Sequence, residues 1–377
     1  MNRYTFARTG CLVVFLIHFS GPPGAWAQEP PEVHPDNRVT FSLNAPHASE
    51  VALFSFELQP ILETMTVPMT LEADSLWRVT VGPLPPGLYD YWFELDGLRI
   101  TDPVGRNVFG QRQGARGFVE IPRPDAAPRP DEWRDVPHGA VTTHWYRSSA
   151  LGVQRRLHVY IPPDYLPGAG RTYPVLYLLH GAGDDDRIWT ALGRANVILD
   201  NLIADGAAEP MVVVMTDGIP DVPPNSERLA YWRLVNEAFQ KDFIDDVMPY
   251  VEARYRVRTD PDGRAIAGLS LGGGQSLLIG LSHLDRFAWI GSFSGATFWL
   301  NPVLDQLADR VEQVNEQIRL LWLAIGKDDF LLNQHNQFVG RLGELGIDHE
   351  YQETDGHHMW SVWRGYLAEF APRLWRE

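Results

Sequence analysis

The chain of 377 residues contains one cysteine, Cys11, near its amino terminus. A single thiol excludes any disulfide within the chain and any thiolate metal site built from several cysteines. Stability must therefore come from packed cores. Beyond the first 27 residues no run approaches eighteen uninterrupted apolar residues, so no later segment reads as a membrane span. Positive charge is also scarce: 32 Lys and Arg stand against 48 Asp and Glu, a formal charge of −16, and no basic run interrupts the acidic surface. Such a field repels phosphate backbones, which argues against nucleic acid as a partner. HExxH is absent, and no third ligand stands at clear spacing from the vicinal pair His357 and His358, so no metal is expected.

What is present begins with residues 1–27. Arg3 and Arg8 precede the short apolar core "CLVVFLIHF", and "AWA" supplies small residues for cleavage. This reads as a signal peptide, with a secreted or periplasmic, soluble mature chain starting at Gln28. Cys11 precedes the apolar core, which is the wrong place for a lipid anchor.

Within residues 28–121, the stretch 38–121 alternates apolar and polar side chains in "RVTFSL", "EVALFSF", "LWRVTV", "LYDYWFEL" and "GFVEI", separated by Pro and Gly turns. Short strands at this spacing predict a small β-sandwich of immunoglobulin-like outline. Trp77, Tyr89, Tyr91 and Trp92 could form a sugar-binding surface if exposed, although alternation sends about half of such rings into a core. The segment 122–139 is proline-rich and is expected to act as a semi-rigid linker.

From residue 140 to the end, apolar strands such as "YPVLYLLHG", "MVVVMTDG", "RAIAGLS", "WIGSFSG" and "RLLWLAIG" alternate with segments of helical period. That rhythm predicts an α/β domain with a mostly parallel sheet covered on both faces, and sites form at the carboxyl ends of such strands. With 33 glycines in the chain, G-x-S-x-G around Ser270 is weak by itself. Its context is stronger, because "RAIAGLS" reads as a strand and "GGGQSLLIGLSHL" as the following helix, the setting of a nucleophile elbow. Side chains two before and two after the serine would collide in so sharp a turn, which accounts for Gly268 and Gly272.

A serine hydroxyl needs a base oriented by a carboxylate, and in this fold the chain order is serine, acid, histidine. Asp328 and Asp329 follow the strand-ending Gly326, with Asp329 favoured by its spacing. His357 and His358 lie in the loop before a helix starting near Trp360. The amides of Ala182, after "YLLHG", and of Leu271 are placed to hold an oxyanion. His180, His283 and His335 are read as structural. Trp189, Tyr231, Trp232, Phe298, Trp299 and Trp360 lie in or beside loops after strands, and Trp189, Trp232, Trp299 and Trp360 are taken as candidate substrate contacts.

The pieces "VYIPPDY", "YPVLYLLHGAG", "FIDDVMPYVEARYRV", "RAIAGLSLGG", "FAWIGSFSGA", "AIGKDD" and "GHHMWSVWRGYLAEF" resemble, in order, the esterase D or carbohydrate esterase one family of α/β-hydrolases. The family includes feruloyl esterases, acetyl xylan esterases and S-formylglutathione hydrolases. "DSLWRVTVGPLPPGLYDYWFELDGLRITDP" resembles the early-set sandwich related to glycogen-binding modules. The resemblance implies Ser270 as nucleophile, Asp329 as acid and His358, five before Trp363, as base. It implies acyl transfer without a cofactor, on an ester that is carbohydrate-linked, with feruloyl or acetyl groups on xylan favoured. A siderophore esterase, a mycolyltransferase-like enzyme and a non-catalytic carbohydrate-binding protein are the alternatives.

Overall fold

The computed structural model describes residues 28–376 except 106, 113, 124–126, 166–169 and 225–226. The expected signal peptide lies outside the described residues.

The first unit is two antiparallel sheets face to face. One runs β1 (Glu32–Val33), β2 (Val39–Asn44), β6 (Leu76–Val81) and β5 (Thr70–Leu71). The other runs β4 (Thr66–Pro68), β3 (Val51–Phe54), β7 (Gly87–Leu95), β10 (Gly114–Ile121) and β9 (Val108–Gln111), with β8 (Leu98–Ile100) added on β7. The five strands expected from alternation are β2, β3, β6, β7 and β10; the short edge strands have too few residues to show a period. Phe41, Leu53, Tyr91, Phe93 and Ile121 meet between the sheets. Of the four aromatics considered for sugar, Trp77, Tyr89 and Tyr91 are part of this packing, whereas Trp92, between the inward-facing Tyr91 and Phe93, lies on the opposite face of its sheet. Trp77 donates its Nε1–H to Ala45 O, Tyr89 and Tyr91 donate to Pro85 O and to Asp102, and Trp92 stacks on Phe54 at 4.1 Å. All four are less than a tenth exposed, so they form no sugar-binding face.

The second unit is an eight-stranded sheet. Its order is β11 (Ala140–Arg147), β12 (Gln154–Ile161), β14 (Val212–Thr216), β13 (Val175–Leu179), β15 (Arg264–Leu269), β16 (Trp289–Phe293), β17 (Leu320–Gly326) and β18 (Glu350–Thr354). Pairing is antiparallel through β11, β12 and β14, and parallel from β14 to β18. Consecutive residues of a strand feed opposite cores: Val175, Tyr177 and Leu179 pack under the helices spanning 228–252, 271–282 and 332–345. Leu176 and Leu178 pack under those at 195–204 and 360–370. Burial on both faces explains why these strands read as continuous apolar runs. The result is an α/β-hydrolase domain preceded by a β-sandwich.

The proline-rich joint carries no helix or strand among its described residues, yet it is no free spacer. Asn201 donates to Pro130 O and Glu132 O at 2.9 and 2.8 Å, Arg134 pairs with Asp205 at 2.7 Å, and Gly139 N donates to Asp200 at 2.9 Å. The sandwich is also fastened directly, through Glu120 and Arg194 at 2.8 Å and Arg112 and Asp217 at 2.6 Å. Arg364 ties all three parts together. Buried on the helix Trp360–Phe370, it pairs with Asp131 of the joint at 3.0 Å and donates to Leu192 O and Leu88 O. Replacing Arg364 by Met should lower stability by about 2 kcal/mol, because Leu192 O and Leu88 O lose their donor and the buried Asp131 is left with Arg129 alone, at 3.0 Å. A urea midpoint equal to that of the wild type would show that this junction does not hold the two units together.

Candidate active site

β15 ends at Leu269, and the helix Leu271–Ser282 starts at once, leaving Ser270 alone to turn the chain. Ser270 has φ +52° and ψ −116°, a conformation costly for an L-residue by about 1–3 kcal/mol. Three hydrogen bonds hold it there: Ser270 N donates to Phe293 O at 2.9 Å, and Ala296 N and Gly274 N donate to Ser270 O at 2.9 and 3.0 Å. The flanking glycines are required sterically. A Cβ on Gly268 would lie 2.6 Å from the Gly272 backbone, and one on Gly272 would lie 2.5 Å from His180 O.

The acid and the imidazole come from the ends of two neighbouring parallel strands. Gly326 ends β17 opposite Thr354 of β18, and a Cβ on Gly326 would lie 2.1 Å from Gly356 O, so the two loops cross backbone against backbone. Asp328 N donates to Gly356 O at 3.1 Å across this crossing. Asp329 is thereby buried below His358. Its Oδ1 accepts from Leu331 N at 2.8 Å and its Oδ2 accepts from His358 Nδ1–H at 2.7 Å, while His358 Nε2 lies 2.9 Å from Ser270 Oγ. In the tautomer that satisfies both contacts, Ser270 donates to Nε2. His357 instead faces Asp328 at 4.0 Å, at the rim. The structure thus brings Ser270, Asp329 and His358 into one chain of hydrogen bonds and leaves Asp328 and His357 outside it.

Ala182 lies beside Ser270 in the cavity wall, and Leu271 follows Ser270 directly. Neither amide donates to an acceptor among the described residues, so both are free for an oxyanion. His180 shapes this loop: its Nδ1–H donates to Gly181 O at 2.8 Å and its Nε2 accepts from Gly218 N at 2.9 Å. His335 is fully buried against Tyr351, and burial holds its pKa down at about 4.

Ser270 opens on a cavity of about 420 Å³. Its apolar walls include Met359, Trp360 and Trp363, and Phe330, whose ring is 4.5 Å from that of His358. Of the four tryptophans expected to contact substrate, only Trp360 lines this cavity. Trp189 is a core residue, 1% exposed, with its Nε1–H donated to Leu179 O. Trp232 packs with Ile219 and Val235 behind Leu271, and Trp299 packs against the backbone at Gly274. Position beside a strand-following loop does not say which way a ring turns, and these turn inward.

Sequence reading missed the other wall altogether. Phe56, Glu57, Met65, Asp90 and Arg116 of the sandwich line the cavity together with Asp184. Arg116 and Asp90 form a buried pair at 2.6 Å. No local pattern marks such residues, because their placement depends on how two separately folded surfaces meet. Phe330 did carry a signal, since it follows the acid directly in "GKDDF".

Burial pushes the Asp184 carboxyl up to about 6 from an ordinary 3.8; Arg116 and His180 oppose the shift, and Asp90 and Asp185 reinforce it. The native state therefore binds this proton more tightly than the unfolded state. The resulting stability is complete below about pH 4 and is lost as pH rises through about 6. Asp184→Asn removes the titration, so its stability relative to the wild type should rise by about 2–3 kcal/mol between pH 4 and pH 7.5. Thermal melts across that range test it, and a difference independent of pH would refute the shift.

The Esterase family model matches residues 148–374. Over 357 residues the chain is 30% identical to the endo-1,4-beta-xylanase/feruloyl esterase of Xylanibacter ruminicola, an alignment covering 93% of this chain and 46% of that protein. The chain spans about half the length of the curated relatives it matches. Among solved structures, the ferulic acid esterase of Anaeromyces mucronatus in complex with ferulic acid is similar at 23% identity and TM-score 0.57, over 64% of this chain and 92% of that one. The enterobactin esterase of Shigella flexneri, in the presence of 2,3-dihydroxy-N-benzoyl-serine, is similar at 20% identity and TM-score 0.67, over 90% and 93%. Both of these likenesses are of fold.

Proposed function

The chain belongs to the esterase family, and from that premise we propose that it is a serine carboxylic-ester hydrolase acting by acyl transfer. The observation that carries this reading is the hydrogen-bonded chain from Ser270 Oγ through His358 to Asp329, at 2.9 and 2.7 Å, at the floor of an open cavity. Ser270 Oγ attacks the ester carbonyl carbon while His358 Nε2 takes its proton. Asp329 keeps Nδ1–H directed at itself and stabilises the imidazolium. The Ala182 and Leu271 amides hold the tetrahedral oxyanion, which collapses as His358 returns the proton to the leaving alcohol oxygen. Water, deprotonated by His358, then attacks the acyl-enzyme, releasing the acid and restoring Ser270. No step requires a cofactor.

The substrate reading is a feruloyl or acetyl ester on plant polysaccharide, met by a secreted or periplasmic enzyme after removal of residues 1–27. It is supported by the similarity to the Xylanibacter xylanase/feruloyl esterase and by the flat side chains Trp360, Trp363 and Phe330 around Ser270. A siderophore esterase is the second reading, favoured by a fold likeness that extends over the sandwich. A formal charge of −16, with Glu57, Asp90 and Asp184 in the cavity wall, weighs against a highly anionic iron-loaded substrate.

Hydrolysis of 4-nitrophenyl acetate should fall by about four orders of magnitude or more in Ser270→Ala and His358→Ala, while His357→Ala stays within about threefold of the wild type. A folded wild-type protein without activity would leave a binding role instead. Methyl ferulate, acetylated xylan and ferric enterobactin, compared by kcat/KM, separate the substrate readings.

A further inference from the structure

The helix Trp360–Phe370 begins two residues after His358, and it begins without a cap of its own. Met359 stands at the N-cap, with no side-chain hydrogen bond to the first turn. First-turn amides need acceptors, and a thioether supplies none of consequence. Here the acceptor comes from the other unit: Ser361 N donates to Glu57 Oε1 at 3.2 Å, between residues 304 apart in the chain. Glu57 is 5% exposed and belongs to the short turn Phe56–Leu58 that leaves β3 of the sandwich. A carboxyl group at this end of the helix also meets the positive pole of its dipole.

The same first turn stands directly behind the imidazole. Trp363 sets its ring perpendicular to that of His358 at 4.8 Å, and its Nε1–H reaches Ser294 Oγ at 3.2 Å. Trp360 packs perpendicular to Trp363 at 5.4 Å. A shift of the helix start would therefore move the wall against which His358 is held. Further along the helix, Arg364 is anchored to Asp131 and to Leu88 O, so the sandwich and the joint grip this helix at two points.

We infer that Glu57 is a positioning residue for His358: the sandwich reaches across the junction, caps the helix that follows the histidine loop, and so keeps the imidazole in line between Asp329 and Ser270. The inference rests on the esterase reading of Ser270 and His358. It makes the sandwich part of the catalytic apparatus, whatever else that unit binds. It also separates two roles open to Glu57, which lines the cavity as well. A residue that only contacted the acyl group would alter KM, and differently for each ester. One that positions His358 alters kcat for all esters alike.

The test uses the full chain carrying Glu57→Ala, Glu57→Gln or Glu57→Asp, assayed with 4-nitrophenyl acetate and methyl ferulate well below each variant's melting temperature. Rates are expressed per site able to react with a 4-nitrophenyl alkylphosphonate. Glu57→Ala should lose about 10- to 100-fold in kcat on both esters, with KM changed less than about threefold, as expected for a displaced catalytic group. Glu57→Gln keeps an acceptor oxygen and should return kcat to within about threefold of the wild type. Glu57→Asp, one methylene shorter, should fall between them, and it serves where the alanine variant does not fold. A wild-type kcat in Glu57→Ala, a loss confined to KM, or a glutamine variant as impaired as the alanine one would each overturn the inference while leaving the esterase reading intact. A wild-type chain inert to both esters and to the phosphonate would overturn both.

Discussion

The site depends on one steric constraint, the passage of two backbones at the end of β15. Gly268, Gly272 and the loop carbonyls of Leu179 and His180 approach so closely that no Cβ fits on either glycine. The chain can reverse there only if the residue between them takes a left-handed conformation, and that residue is Ser270. The backbone energy stored in this turn is offset by the hydrogen bonds of Ser270 with Phe293, Ala296 and Gly274. The return is a hydroxyl lifted clear of the sheet, at the head of a helix whose first amide is free. Strain, a free amide and an exposed hydroxyl are one feature of the fold.

A second crossing, of Gly326 with Gly356, does for the acid and the imidazole what the first does for the serine. The parallel register of β17 and β18 aligns Gly326 with Thr354, and the tight approach then sets Asp329 beneath His358. Neither crossing specifies the third contact, between His358 and Ser270. That contact depends on where the histidine loop is carried by the helix after it, and this helix is fixed from outside the sheet by Arg364 and Glu57. The separation of 88 positions between Ser270 and His358 is thus closed by two local constraints and one long-range one.

Local constraints are the ones a sequence displays. The elbow and the alternation of strands and helices in the α/β unit could be read from glycine spacing and apolar runs, because those signals are the steric requirements themselves, whereas the preference for Asp329 over Asp328 leaned on the acid position usual in such folds. His358 over His357 needed a family resemblance, since adjacent residues in a loop differ only in the direction each side chain takes. The tryptophans show the same limit: Trp189 and Trp360 occupy equivalent-looking places after strands, yet one fills the core and the other lines the cavity. In the sandwich, period-two alternation located the longer strands, but it could not tell that Trp92 would be covered on its outer face by Phe54. The cavity's second wall left no trace in the sequence, because Asp90 and Arg116 sit on ordinary strands whose function arises only on docking.

The character of that docking bears on what the cavity admits. The junction is held by charge pairs, Glu120 with Arg194 and Asp131 with Arg364, together with apolar contacts in which Leu88, Phe109 and Phe118 of the sandwich join a core cluster of the α/β unit. Partly buried pairs of this kind gain little net energy over apolar contacts, but each tolerates only one geometry, so they fix register better than they add affinity. Fixed register is what a shared cavity requires, since the sandwich must present Glu57, Asp90 and Arg116 to Ser270 at a constant distance. These side chains, with Asp184, bring three carboxyl groups and one guanidinium to the wall opposite the aromatic side. A neutral ester with hydroxyl groups could donate to those oxygens. The wall that the α/β unit borrows from the sandwich is therefore polar, while Trp360, Trp363 and Phe330 give the cavity its flat apolar surfaces.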